Sequence, residues 1–283
     1  MRIAQITDIH IGFDRGNPDE HNMQRLRAVL RRLEDSPNRP DLLLMSGDLT
    51  EFGDAESYAR LAEAVKGCPF PVWPMTGNHD ERGPLLAAFP QTPSEGEFVH
   101  YVLEYPSLRL IVLDTLEPGR HGGAFCEERA DWLKTQLEAD QQTPTIVAMH
   151  HPPFESGITW LDSSSREPWI ARFADAIAGH GQIRGIIAGH LHRTIHTLWG
   201  GVSLTVCPSV APAVALDLTP IDANVPDGRA LITDELAGYA LHTWDGERLI
   251  SHFECTGSLR VLASYDEKLQ EVVRIIQNER TEE

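Results

Sequence analysis

The chain has 283 residues, with 24 Lys+Arg against 42 Asp+Glu and a formal net charge of −18. That length buries a sizeable core in one large domain or two small ones, and 41% hydrophobic residues is the composition of an ordinary globular protein. The acidic balance excludes a protein that grips long nucleic acid through its phosphates, and no apolar run approaches the roughly 18 residues of a membrane span.

The N-terminal run Met1 to Thr7 reads as a strand, with no basic stretch ahead of a long apolar segment, so no secretory signal is expected. Cys68, Cys126, Cys207 and Cys255 are widely spaced and contain no Cys-x-x-Cys pair, which predicts reduced thiols and a cytoplasmic location. Short apolar runs at 3–7, 42–45, 72–75, 108–113, 145–149 and 183–188 alternate with amphipathic stretches, the pattern of an α/β layer protein. Met23, Leu26, Val29, Leu30 and Leu33 share one helical face and form a crossover helix ended by Pro37 and Pro40. Tyr58, Leu61 and Val65 make a second stripe, closed by Gly67 and Pro69; Trp132, Leu133 and Leu137 make a third. Trp169, Ile170, Phe173 and Ile177 make a fourth, stopped by Gly179, and all these aromatic positions read as helix packing. After about residue 197 the pattern turns to β segments at 202–206, 213–216, 239–244 and 249–254, with Asp245-Gly246 as a hairpin signal between the last two. A final helix carries Leu269, Val272, Val273 and Ile276 on one face, ahead of a charged tail, 279–283, expected to fray.

Five short motifs follow strands: Asp8-Ile9-His10, Gly47-Asp48, Gly77-Asn78-His79-Asp80, His150-His151 and Gly189-His190-Leu191-His192. From composition alone, Asp-x-His, Gly-Asp and His-His are each expected about once, whereas Gly-His-x-His is expected about 0.05 times and Gly-Asn-His-Asp about 0.001 times. Those last two carry the signal. In an open α/β sheet the carboxyl ends of the strands share a rim where ligands bind, so residues far apart in sequence meet there. Asp and Asn oxygens with imidazole nitrogens are the donor set of zinc or first-row transition metals. Seven such residues are too many for one tetrahedral zinc and suit two ions sharing a bridging carboxylate. Two divalent ions bring about +4 and Asp8 with Asp48 return about −2, so a small anion can be held inside an acidic protein.

The order and completeness of these motifs resemble the calcineurin-like metallophosphoesterases, in particular the branch of class III cyclic nucleotide phosphodiesterases and glycerophosphodiesterases, over about residues 1 to 215. The resemblance implies an α/β sandwich of two central sheets flanked by helices. It implies Asp8, His10 and His192 on one metal, Asn78, His150 and His190 on a second, and Asp48 bridging both. The implied cofactors are two divalent or trivalent ions of iron, manganese, zinc or cobalt. Asn78 and His79 would meet the substrate, His79 would assist the leaving group and Asp80 would orient His79. The implied activity is hydrolysis of a small phosphodiester, a cyclic nucleotide or a glycerophosphodiester, by in-line attack of a hydroxide bridging the metals.

On the same resemblance, residues 1–196 are the catalytic core. Residues 197–283 are expected to complete the second sheet in the same domain and to form a cap or dimer arm, with the apolar stretch 210–216 in a homo-oligomer contact. Phosphoprotein phosphatases carry Gly-Asp-x-x-Asp-Arg-Gly, whereas Asp48 here leads to Leu49-Thr50-Glu51, which disfavours that class of monoesterase. Nucleases of the superfamily carry a large capping domain, and duplex binding opposes the acidic charge. A non-catalytic scaffold would have lost ligands that all stand here. His151, followed by Pro152-Pro153, is expected to shape its loop, while Phe13, Asn22 and the turn bearing Arg120 and His121 are candidates for the pocket wall.

Overall fold

The computed structural model describes residues 1–279. The chain opens with β1 (Arg2–Ile6), α1 (His21–Glu34), β2 (Leu42–Ser46), α2 (Ala55–Val65) and β3 (Val72–Met75); the strands pair in parallel and the helices make the crossovers. A short α3 (Arg82–Ala88) and the edge strand β4 (Tyr101–Tyr105) lead into β5 (Leu108–Val112). Then come α4 (Glu127–Ala139), β6 (Thr145–Ala148), α5 (Pro168–Ile177) and β7 (Ile183–Ala188), a second parallel run. The remainder is β8 (Ile195–Trp199), β9 (Val202–Val206), the small pair β10 (Ala213–Val214) and β11 (Ile232–Thr233), the hairpin β12 (Gly238–Trp244) with β13 (Leu249–Cys255), and α6 (Gln270–Asn278). Strand order is β13-β12-β1-β2-β3 in one sheet and β4-β5-β6-β7-β9-β8 in the other, the two-sheet α/β architecture expected.

Alternation along β5 explains how the layers stack. Leu108, Leu110 and Val112 join the core built by Ile3, Ile6 and Leu42 to Met45 of the first sheet. The intervening Ile111, with Leu113 just beyond the strand, packs instead with Trp132, Leu133 and Phe173 of α4 and α5. A period of two thus puts one face of the strand against the other sheet and the opposite face under helices. The predicted stripe of α1 is buried in full, from Met23 to Leu33.

The loops that leave the carboxyl ends of β1, β2, β3, β6 and β7 carry Asp8 and His10, Asp48, Asn78 to Asp80, His150, and His190 with His192. The C-terminal part departs from expectation. β9 pairs with β7 in the second sheet, but β12 pairs antiparallel with β1 and brings β13 with it, so the longest hairpin extends the first sheet. The driving force is burial of Tyr239, Ala240 and Trp244 and cover for the edge of β1. Residues 210–216 also differ from a dimer face: Val210 (0% exposed) and Val214 (1%) lie inside this chain, and of the apolar stretch Leu216 alone is exposed. α6 forms where expected, with Leu269 as its N-cap, but buries none of its residues. Of the tail 279–283 expected to fray, residues 280–283 lie outside the described residues. Among the described residues no helix is long and apolar enough to cross a membrane.

Candidate metal centre

Asp8, His10, Asp48, His190 and His192 all adopt positive φ, between 49° and 73°. Such backbone costs about 1–3 kcal/mol per residue and persists where the surroundings over-determine it. Here the loops are pinned to one another. Asp8 N donates to Gly47 O (3.0 Å), Ile9 N and His10 N both donate to Asp48 O (2.8 and 3.0 Å), and His190 N donates to the Asp8 carboxylate (3.0 Å). Gly77 packs so closely beneath this arrangement that a Cβ there would run into the Asp48 side chain and lie 2.8 Å from His150 Nε2.

Three imidazoles are oriented alike. Nδ1 of His10 donates to Glu51 Oε2 (2.7 Å), Nδ1 of His150 to Ser46 O (2.8 Å) and Nδ1 of His192 to Pro212 O (2.9 Å). That leaves each Nε2 as the inward atom: His150 Nε2 is 3.3 Å from Asp48 Oδ2, His192 Nε2 is 3.4 Å from Asp8 Oδ1, and His10 Nε2 is 3.7 Å from Asp48 Oδ2. An imidazole fixed by its outer nitrogen is the usual posture of a metal ligand.

Donor atoms of Asp8, His10 and His192, and separately of Asp8, Asp48 and His150, lie within 4.8 Å of one another, as do those of His150, His151 and His190. His150 Nε2 and His190 Nδ1 are buried without a hydrogen-bond partner among the described residues. A buried nitrogen left in that way is costly unless a cation takes its lone pair. The residues therefore fit bound metal. Asn78 sits at the edge of this group, its Oδ1 3.1 Å from His151 Nε2 and its Nδ2 3.3 Å from His121 Nδ1.

Electrostatics follow from this crowding. Burial opposes charge on His150, but Asp48 and Asp8 outweigh it and lift its pKa to about 9. Burial also opposes charge on His10, which Glu51, Asp48 and Asp8 overcome to raise it. Burial and the neighbouring imidazoles hold His151 and His190 well below the usual histidine range, a neutral state suited to ligation. Burial disfavours charge on Asp48, yet His150, His10 and His79 together keep it well below the ordinary carboxylate range.

Asp80 requires a correction. It does not orient the His79 ring. Its carboxylate accepts from the amides of Leu49 (3.1 Å), Thr50 (3.3 Å) and Gly77 (2.8 Å) and from the Tyr58 hydroxyl (2.7 Å). It therefore braces the Asp48 loop, and burial together with the charge of Asp48 raises its pKa to about 6. His79 is held through Glu51: its Nδ1 donates to Glu51 O (3.0 Å), with Glu51 Oε2 at 3.8 Å, while its own amide donates to Asp48 Oδ1 (2.9 Å).

A cavity of about 470 Å³ opens above the cluster, lined by His10, Asp48, His79, His190 and His192 at its base and by Phe13, Trp160, Leu161, Val214 and Ile232 on its walls. Phe13, Asn22 and His121 reach it as expected. Arg120 does not line it and pairs with Glu117 and Glu167.

The family model for calcineurin-like phosphoesterases matches residues 1–194. The chain belongs to this phosphoesterase family. It is 34% identical over 216 residues, 75% of this chain and 81% of that one, to a probable cyclic nucleotide phosphodiesterase of Synechococcus sp.. It is 29% identical over 263 residues, 91% of this chain and 94% of that one, to a probable glycerophosphodiester phosphodiesterase of Arcobacter nitrofigilis. A dimetal phosphatase of Danio rerio shares the fold with TM-score 0.64 at 13% identity, covering 91% of this phosphoesterase and 96% of that chain.

Sequence reasoning missed Glu51 and Trp160 in this phosphoesterase. Glu51 lies three residues beyond Asp48, and a carboxylate so near a predicted ligand was the available signal. Trp160 lies in an irregular loop between β6 and α5, where no periodicity reports which way a side chain turns.

Proposed function

We propose that the chain is a dinuclear metal-dependent phosphodiesterase that hydrolyses small phosphodiesters, cyclic nucleotides or glycerophosphodiesters. The observation that carries this reading is the posture of His10, His150 and His192, each with Nδ1 tied to an oxygen and Nε2 turned toward Asp8 or Asp48. In this assignment Asp8, His10 and His192 hold one ion, Asn78, His150 and His190 hold the second, and Asp48 serves both. Iron, manganese, zinc and cobalt all suit the donor set. Bound ions supply Lewis acidity toward the phosphoryl oxygens and an activated water as nucleophile.

His79 has its Nδ1–H committed to the Glu51 carbonyl, so Nε2 is the atom free to give a proton or a hydrogen bond to the leaving oxygen. Asn78 meets the substrate beside it, steadied by His151 and His121. The metal charges make the cavity floor locally positive, which admits a small anion, while a net charge of −18 disfavours long nucleic acid. Residues 1–196 form the catalytic core. The part after 197 acts as a cap, contributing Ala211, Pro212, Val214 and Ile232 to the cavity wall. Free thiols at Cys68, Cys126, Cys207 and Cys255 accord with a cytoplasmic location.

Hydrolysis of bis(p-nitrophenyl) phosphate by manganese-loaded protein tests the reading. His79→Ala is expected to lower kcat about a hundredfold or more with fold and metal content retained. A kcat at the wild-type level in that variant removes His79 from the role, and no diester turnover by loaded wild type refutes the activity.

A further inference from the structure

The cavity above the metal cluster is chemically two-sided. Its base is the ligand set, and its walls include Phe13, Trp160, Leu161, Val214 and Ile232. Among the described residues no Lys or Arg lines it, and the charged lining residues outside the ligand set are the carboxylates Asp14, Glu20 and Glu51, with His21, His79 and His121 as further imidazoles. Three arginines near it are committed elsewhere, and Arg15, beside Asp14, lies over the Phe52 ring with its guanidinium carbon 3.9 Å from the centroid. Arg25 donates to Val210 O, Ala211 O and Asp234, Arg193 to Val214 O and Glu235, and Arg60 to Asn17 O beside Glu20.

Two of the wall residues are not used by the fold. Phe13 is 69% exposed and Trp160 36% exposed, although both are large apolar rings. Phe13 stands on the loop after β1 of the first sheet, and Trp160 on the loop after β6 of the second, so the two rings reach one cavity from different sheets. Ile232 of β11 adds a third apolar surface, 52% exposed. Exposed apolar surface concentrated at the mouth of a polar site is characteristic of a place where a ligand completes the packing.

Resting on the phosphodiesterase reading above, we infer that Phe13 and Trp160 form a subsite for a planar, uncharged aromatic substituent of the phosphodiester, such as a nucleobase. Only the metal-bearing base of the cavity accepts negative charge. The walls offer stacking surface, and Asp14 and Glu51 repel a second phosphate or a carboxylate carried on the same substituent. The class selected is a diester with one phosphate and one flat apolar arm. Stacking of a base on an aromatic side chain contributes about 1–3 kcal/mol, which is about a 5- to 150-fold effect on binding.

The test compares adenosine 3′,5′-cyclic monophosphate with glycerophosphoethanolamine, a diester with no aromatic group, on metal-loaded wild type, Phe13→Ala, Trp160→Ala and the conservative Phe13→Tyr. Each alanine variant is expected to raise KM for the nucleotide about tenfold and to leave KM for the glycerol diester within about twofold. Phe13→Tyr is expected to retain the nucleotide KM. Both rings are solvent-exposed, so the variants keep the fold, which circular dichroism checks. Equal shifts for the two substrates, or none for either, overturn the subsite while leaving the diesterase reading intact. Failure of wild type to hydrolyse either diester overturns the diesterase reading and the subsite with it.

Discussion

The Glu51 carboxylate accepts a hydrogen bond from His10 Nδ1 at 2.7 Å, and the main-chain carbonyl of the same residue accepts one from His79 Nδ1 at 3.0 Å. One loop residue thus sets the ring of a proposed ligand and the ring of the proposed proton donor. Removing a carboxylate that orients a ligating imidazole typically weakens metal binding about 10–100-fold. Glu51→Ala is expected to do so, read by titration of metal into the metal-free chain. Glu51→Gln keeps an oxygen acceptor and is expected to lose less. Equal affinity in the alanine variant and wild type would show that His10 needs no such support.

Asp80 and Tyr58 form a second brace, beneath the loop that carries Asp48. Tyr58→Phe removes one hydroxyl from a buried carboxylate that still keeps three backbone donors, and is expected to cost about 1 kcal/mol in urea unfolding. Asp80→Ala strips the partner from those amides and from the tyrosine, and is expected to cost more than Tyr58→Phe and to reduce metal retention. A variant lacking Asp80 with wild-type stability would contradict the bracing role.

How much of this was legible before the fold was known differs by residue. His190 and His192 of the candidate site were readable because an improbable motif follows a strand, whereas Asp8, His10, Asp48 and His150 lie in commonplace motifs and were readable only because these too fall at strand ends, which meet at one rim. The contact His10 Nε2 to His192 Nε2, 3.2 Å across 182 residues, is that rule in action. Asp80 was misread because sequence adjacency does not report direction: His79 turns into the cavity while Asp80 turns inward under Tyr58. α3 was not seen, since Gly83 and Pro84 disguise its start, and β4 is an edge strand whose Glu104 interrupts the apolar pattern. The pairing of β12 with β1 joins residues at opposite ends of the chain, as Arg2 with Thr243, and no local signal announces it.

Gly77 gives a steric test. A methyl group there meets the Asp48 side chain, the Asp48 backbone nitrogen and His150, so Gly77→Ala is expected to shift the Asp48 loop and to bind metal poorly, with the loss visible in metal content per chain. Gly67, whose Cβ position is open, supplies the control: Gly67→Ala should leave metal content unchanged. Similar metal content in the two variants would argue against the close packing described.

His100 predicts an acid limb in the stability curve. It stacks on Trp132 with ring centroids 3.9 Å apart, and its Nδ1 is buried without a partner among the described residues. Burial lowers its pKa from 6.5 to about 4; Asp114 and Glu95 oppose the shift, and Arg129 and Arg82 add to it. Between those values the unfolded chain takes up a proton that the folded chain refuses. Stability is therefore complete above about pH 6.5 and declines as the pH falls toward 4. His100→Phe keeps the stack and removes the titration. It is expected to flatten the limb by up to about 1.4 kcal/mol per pH unit, read from urea midpoints across that range. An unchanged slope would exclude His100 as a contributor.

Titration of the metal-free chain with Mn²⁺, followed by turnover of bis(p-nitrophenyl) phosphate, tests the central claim most directly. The account predicts activity that rises to a plateau at two equivalents of metal per chain, and none at any equivalence in Asp48→Asn. A plateau at one equivalent, or full turnover by the metal-free chain, would contradict it.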